Sequence, residues 1–192
     1  ELISLYSIEE GALKLDLSTY FTFLDNALIR RDFLLNGQSE IIYDGEPSNV
    51  QAIQNASEAR IYGLEVGAEI NFTKQLKLAL QYNIIGGTDD IDGIELPVRH
   101  IAPNFGNAHF IWQKKNLKLD AFIQFNNELS FNQLAPSEIE KDFIYALDAN
   151  GNPYSPSWYT LNLRSKYSIS ESITLTATLE NISDQRYRPY SS

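Results

Sequence analysis

Imidazole chemistry in this chain rests on two residues, His100 and His109, and no cysteine accompanies them. Nine positions apart on one strand, they have opposite facial parity and cannot share a metal ion. In the expected hairpin register His109 comes directly opposite Asp120, which suggests an ordinary cross-strand hydrogen bond between them. Asp89-Asp90-Ile91-Asp92-Gly93 is similar to a calcium loop. Thr88, however, stands at its first ligand position and Arg99 at the twelfth, where a bidentate glutamate belongs, so a solvated turn is expected. Asp148-Ala149-Asn150-Gly151-Asn152-Pro153 reads as a tight turn at a loop tip. Tyr154, Trp158 and Tyr159 are the candidate ligand-binding residues, because their rings can stack on a planar group of a bound molecule. Packing against a neighbouring loop is the competing role for Trp158. Gly-x-Ser-x-Gly, a phosphate-cradling glycine loop and a zinc signature are all absent. No spacing selects a general acid–base pair either, so neither an enzyme, a metal site nor a cofactor is expected.

These residues sit in an acidic chain of 192 residues with a formal net charge of -10. Such a balance repels phosphates and argues against a nucleic-acid partner. The length suits one domain. The sequence starts at Glu1 without a signal-like segment and stops after Tyr190-Ser191-Ser192, so it is read as an internal piece of a longer protein. No run approaches the roughly 20 apolar residues of a membrane helix. Eleven Tyr, ten Phe and two Trp make 12% aromatic, as strands and membrane interfaces favour.

The elements that position these groups follow from a period of two. After Arg60 the even positions carry Tyr62, Leu64, Val66, Ala68, Ile70 and Phe72, while the odd ones carry Ile61, Gly63, Glu65, Gly67, Glu69 and Asn71. The same alternation predicts eight strands, near 1–7, 12–30, 50–72, 76–88, 99–112, 117–131, 157–169 and 172–182. The fifth is ragged. Leu134–Tyr145 holds at most a helical turn or two inside a loop. Pairing Ile70 with Leu78 and Tyr167 with Leu175 keeps apolar beside apolar, and a one-residue slip would swap the faces.

Alternate connections differ in length. Ser7–Gly11, Thr73–Gln75, Gln113–Asn116 and Ser170–Ser172 are short turns, whereas Arg31–Ser48, Asp89–Val98, Asn132–Pro156 and the tail from Ser183 are long and polar. A membrane barrel sorts its loops in this way, with short turns inside and long loops outside. Val50–Phe72 would reach about 75 Å at about 3.3 Å per residue, whereas a sandwich strand has about five or six residues. Aromatics also recur beside the short turns, at Phe72, Trp112 and Tyr167. The expected fold is an all-β, antiparallel up-and-down transmembrane β-barrel. The alternatives are a passive porin or small structural barrel, in which eight strands close on themselves, and a soluble carbohydrate-binding β-sandwich, whose apolar face packs on a core.

Two stretches resemble the TonB-dependent receptors of the Gram-negative outer membrane. Asn55-Ala56-Ser57-Glu58-Ala59-Arg60-Ile61-Tyr62-Gly63-Leu64-Glu65 is similar to a barrel strand of that family. Leu179-Glu180-Asn181-Ile182-Ser183-Asp184-Gln185-Arg186-Tyr187 is similar to its penultimate-strand signature, with Ile182 where Leu is usual and Ser183 where Phe is frequent. Pro97, Arg99, Pro103 and Asn104 resemble a proline-marked start of a strand, and Tyr154–Leu163 an aromatic return strand. The resemblance implies that residues 1–192 are a partial C-terminal β-barrel domain, an arc of about eight strands of a 22-stranded barrel. The plug domain, the TonB box, the first part of the barrel and the final strand would lie outside the chain. It further implies uptake of a scarce nutrient, a ferric siderophore first and otherwise haem, cobalamin or a glycan, energised by the TonB complex acting through the plug. Leu64, Leu78, Leu119 and Leu175 would face lipid. Glu65, Glu69, Lys77, Lys118, Asp120, Arg164 and Lys166 would face the plug or water.

Overall fold

The computed structural model describes residues 1–91, 93–139 and 141–189, without the side chains of 27, 29–31, 54–57 and 142. Thirteen strands occur among the described residues. Eight form the wall: β1 (Leu2–Glu10), β2 (Leu13–Asp32), β5 (Gln51–Asn71), β6 (Leu76–Ile91), β8 (Phe105–Lys114), β9 (Leu117–Asn126), β12 (Trp158–Ser168) and β13 (Thr174–Leu179). Each pairs antiparallel with the next, in the order β1-β2-β5-β6-β8-β9-β12-β13. The first and last do not pair with each other, so the wall is an open arc and not a closed eight-stranded barrel. The expected register holds, with Ile70 opposite Leu78 and Tyr167 opposite Leu175.

Turn chemistry explains the short ends. Between β5 and β6 the Thr73 hydroxyl accepts from the amides of Gln75 (3.1 Å) and Leu76 (3.0 Å). Between β1 and β2 pairing continues to Glu10, with Glu9 opposite Lys14, so that turn is only Gly11-Ala12 and not Ser7–Gly11. Between β8 and β9 the loop shrinks to Lys115-Asn116 because Lys115 adopts φ 52°.

The long ends differ more from expectation. Arg31–Ser48 contains a hairpin, β3 (Glu40–Tyr43) with β4 (Glu46–Asn49). Asp44-Gly45 (φ 52° and 87°) closes it, and Asn36-Gly37 (φ 53° and 82°) makes a second tight turn beside it; both dipeptides favour such turns. Asp89–Val98 is largely sheet, since β7 (Ile94–Pro97) folds back on Thr88–Ile91. The fifth wall strand starts at Phe105, not at 99, because Pro103 has no amide to donate. Asn104 instead receives the Ile85 amide on its side chain (3.4 Å) and the Asn127 amide on its carbonyl (2.7 Å). Asn127–Ser157 holds β10 (Ala146–Leu147), β11 (Pro153–Tyr154) and single helical turns at Phe131–Gln133, Pro136–Ile139 and Asp142–Ile144. Leu129, Leu134 and Ala135 make a small core there.

The wall has its solvation inverted. On β12, Thr160 and Asn162 are 3% and 6% exposed, while Leu161 and Leu163 beside them are 44% and 37% exposed. Side chains crowd on the concave side of a curled sheet and splay on the convex side, so the polar face lies inside. Among the described residues the leucine face meets no second sheet of the kind a sandwich would require. On β12 that face reads Tyr159, Leu161, Leu163, Ser165 and Tyr167. The two tyrosines are separated by roughly 26 Å of strand, or about 20 Å along the normal at a tilt near 40°, approaching the ~25 Å apolar band of outer-membrane barrels.

Close approach of strands depends on one glycine above all. Gly106 lies between Tyr82 and Phe125, whose rings stack at 6.0 Å. A Cβ there would strike the Gln81 carbonyl oxygen and come within 2.8 Å of the Phe125 ring. At Gly67 a Cβ would meet its nearest neighbour at an ordinary 3.6 Å. Gly106→Ala in the full-length protein is therefore expected to cost about 1–3 kcal/mol, as overpacking does, and Gly67→Ala much less. Urea unfolding in detergent, followed by tryptophan emission, checks the difference.

Candidate functional site

The inner face is a continuous polar ladder. One row runs Asp16, Gly67, Gln81, Asn107, Gln124 and Thr160 across six strands, and Asn107 donates to Gln81 Oε1 at 3.3 Å. The next row runs Lys14, Glu69, Ala79, His109, Phe122 and Asn162. Lys77 Nζ reaches Glu69 Oε2 at 2.9 Å. Charges on this face are thus partly compensated within it, as a wall that meets water or other protein requires.

His109 lies directly opposite Phe122, not Asp120. The two-residue turn at Lys115-Asn116 moves the register by two positions. The expected hydrogen bond still forms, diagonally, with His109 Nδ1 2.9 Å from Asp120 Oδ1. The imidazole also stacks on Phe122 (4.8 Å, 9°), and the Arg164 guanidinium lies 5.4 Å from the centre of that ring. His100 is not on a strand. It sits in the loop before β8 at φ 62°, with Nδ1 3.6 Å from Oε1 of the buried Glu138. The two histidines therefore belong to separate neighbourhoods. In the acidic turn, Asp90 Oδ1 accepts the Gly93 amide at 2.8 Å; Asp92 lies outside the described residues. Among the described residues no three of His, Asp and Glu are grouped to hold a metal ion.

At the long-loop end of the wall Trp158 opens β12 on the polar face, opposite Asn126. Its ring stacks on Tyr187 at 4.4 Å and 28°. That contact is what the Leu179–Tyr187 signature builds. Asn181 takes φ 49°, and its amide donates to Asn162 Oδ1 (2.9 Å) while its own Oδ1 accepts the Gln185 amide (3.0 Å). The chain is turned back over the mouth, and Arg188 donates to the Ile144 carbonyl at 3.3 Å. A cleft of about 340 Å³ opens there between Phe143–Ala146, Ser155–Trp158 and Arg186–Pro189.

The three aromatic candidates are not brought together. Tyr159 points to the opposite face, beside Phe125 in the apolar band. Tyr154 sits in the β10–β11 hairpin opposite Ala146. Tyr187, Tyr145 and Arg186, which share the cleft with Trp158, were not singled out as ligand-binding residues. The tyrosine of the signature was the one signal that could have found part of this group.

A family model described as TonB dependent receptor-like, beta-barrel matches residues 7–182. No curated protein matches the chain. Among solved structures it is similar to the copper transporter OprC, with TM-score 0.71 and 18% identity over 97% of this chain and 25% of that one. It is also similar to the FrpB iron transporter from Neisseria meningitidis, with TM-score 0.62 and 12% identity over 95% and 26%. The ferric yersiniabactin uptake receptor FyuA from Yersinia pestis follows at TM-score 0.60 and 14% identity over 97% and 25%. The chain thus spans about a quarter of the length of each of these proteins; at such identities the likeness shows the fold alone.

At the loop tip, as expected, Asp148 closes a tight turn. Its Oδ1 accepts the amides of Asn152 and Asn150, both at 2.8 Å, and Oδ2 accepts from the Asn152 side chain at 3.1 Å. The Asn152 amide first, then its side chain and the neighbouring amides, holds the carboxyl below the usual aspartate range. A depressed folded-state value means that the turn is fully stabilised above the unfolded pKa of about 3.9 and loosens as pH falls through the folded value. Hydrogen exchange of the peptide spanning Asn150–Asn152, corrected for intrinsic rates, should show protection that fades only in that acid range. Asp148→Ala should lack the protection at every pH.

Proposed function

The chain belongs to the TonB dependent receptor-like β-barrel family, and from that premise we propose that it forms part of the wall of an outer-membrane receptor in a Gram-negative bacterium. The receptor imports a scarce nutrient, a ferric siderophore or related iron complex, and the TonB complex drives release through a plug domain seated against the polar face. The observation that carries this reading is the inverted wall, with Thr160 and Asn162 buried and Leu161 and Leu163 exposed on one strand. Such a sheet suits lipid outside and a hydrated, protein-filled lumen inside. The similar structures are named as a copper transporter, an iron transporter and a ferric yersiniabactin uptake receptor, which supports a metal-bearing cargo over a glycan. The family is one of receptors and transporters, and no step of bond-making chemistry is assigned to the inner wall.

Uptake is tested in the source bacterium with the full-length gene deleted, restored, or restored in a strain lacking TonB. Radioiron presented with the bacterium's own secreted chelators should enter only where receptor and TonB are both present. Equal entry in all strains, or entry that survives loss of TonB, would sink the energised-receptor reading and favour a passive pore. Membrane placement is tested separately. Leu78→Arg should cost about 2–4 kcal/mol of assembly at mid-bilayer, whereas Gln81→Arg on the polar face should cost close to nothing. The folded fraction of full-length protein, read by heat-dependent gel mobility, measures both.

A further inference from the structure

Charge is spread unevenly along this acidic chain. Seven of its eight lysines, all but Lys141, lie within four residues of a short turn, whereas Asp32, Glu40, Asp44 and Glu46 crowd one long loop. Lys14 and Lys77 are neutralised where they stand, on Asp16 at 3.2 Å and on Glu69 at 2.9 Å. Lys74, Lys114 and Lys115 are exposed and close no ion pair among the described residues. They belong to two neighbouring turns, tied together by the Gln113 amide on the Gln75 carbonyl at 2.7 Å. Segments 72–76 and 112–117 contain no carboxylate; the turns to either side carry Glu10 and Glu171. Lys114 lies opposite Leu117 and shares its face with Trp112 and Phe110, so its stem leaves from the leucine side of the wall.

The same face holds a groove of about 540 Å³ farther from the turns. In one row Ala121 lies between Phe110 and Leu163, and in the next Ala108 lies beside Ile123. The two alanines leave a trough walled by Phe110 on one side and by Leu161 and Leu163 on the other. Asn162, the one polar residue of its described lining, turns its side chain to Thr160 at 3.1 Å on the opposite face. Phe110 is four residues from Lys114, about 13 Å along the strand and about 10 Å along the membrane normal at a tilt near 40°. Half of a hydrocarbon core near 30 Å is about 15 Å deep. The trough therefore sits where the far part of an acyl chain runs when its headgroup is level with the lysines.

Resting on the receptor reading above, which puts the short turns on the periplasmic side, we propose that this strip of the wall binds one anionic phospholipid of the periplasmic leaflet. The phosphate sits among Lys74, Lys114 and Lys115. The Trp112 indole takes the glycerol level, between water and tails. One acyl chain fills the trough. Unneutralised lysines at the edge of a lipid face select an anionic headgroup over a zwitterionic one, because each adds attraction that a neutral headgroup cannot return. The trough selects a hydrocarbon chain, since its lining presents no free hydrogen-bonding side chain to a guest. An acidic polymer of the periplasm, such as peptidoglycan, would use the lysines and leave the trough unused.

The test uses purified full-length receptor in a zwitterionic detergent, with bound lipid counted by native mass spectrometry. The probes are dioleoyl phosphatidylglycerol, dioleoyl phosphatidylcholine and short-chain dihexanoyl phosphatidylglycerol. Wild type should retain the long-chain anionic lipid in preference to both others. Lys114→Gln should weaken that retention roughly fivefold, the share of one lysine at a charged surface. Lys141→Gln, which removes the same charge at the long-loop end, should not. Ala121→Leu fills the trough and should bring the long-chain anionic lipid down towards the short-chain one. Heat-dependent gel mobility verifies that each variant is folded, and the two lysine variants decide the matter if Ala121→Leu is not. The proposal falls if wild type holds the anionic and zwitterionic lipids equally, if the two lysine variants behave alike, or if folded Ala121→Leu keeps the full advantage of the long chains. Lys114-dependent binding to purified peptidoglycan without a lipid preference would also overturn it and assign the lysines to that polymer. TonB-dependent radioiron entry that persists alongside any of those results would leave the receptor reading standing and remove only this site.

Discussion

Backbone amides and carbonyls that cross hydrocarbon must find partners within the protein, because lipid tails offer none. That requirement fixes most of what this chain does. Long strands pair residue for residue with both neighbours, and Leu13–Leu24 lies opposite Ala59–Ile70 without interruption. The register shifts only between Leu24 and Leu28, past Phe21 and Tyr62 of the aromatic row. The edge strands β1 and β13 keep one side unpaired among the described residues, which is the geometry of an arc whose neighbours complete a larger ring.

Once pairing is obligatory, side chains are free only in their choice of face, and the solvent on each face makes that choice. Asp120, Thr160 and Asn162 are buried because the concave side crowds them and supplies partners; Asp120 bonds the His109 imidazole and Asn162 donates to Thr160 Oγ1 at 3.1 Å. Leu161 and Leu163 stay exposed on the strand whose Thr160 and Asn162 are buried, an arrangement that suits apolar surroundings on the leucine side. The same logic gives the aromatic rows their place, since Tyr82 and Phe125 can approach only because Gly106 lacks a side chain.

Much of this was legible from residue order. Period-two alternation sets register wherever one face is apolar, so the Ile70–Leu78 and Tyr167–Leu175 pairs could be read directly. The Asn36-Gly37 and Asp44-Gly45 turns carried a hairpin signal that a reading of the segment as a polar loop passed over. The His109 register was misplaced by two because Lys115 takes a left-handed conformation, which its residue type does not announce. His100 left its expected strand because Pro103 interrupts the ladder.

The candidate site divides in the same way. Residue order by itself determined the eight wall strands in outline, their faces and the family resemblance, because each depends on neighbours within a few positions or on a repeat that the pleat enforces. Only the tertiary structure decided which aromatics meet. Trp158 and Tyr159 point apart because adjacent strand residues alternate faces, and Tyr154 lies apart from both in the β10–β11 hairpin. Trp158 and Tyr187, 29 positions apart, are joined because Asn181 turns the chain back and binds Asn162. No local preference encodes that contact; it exists only once β12 and β13 are paired.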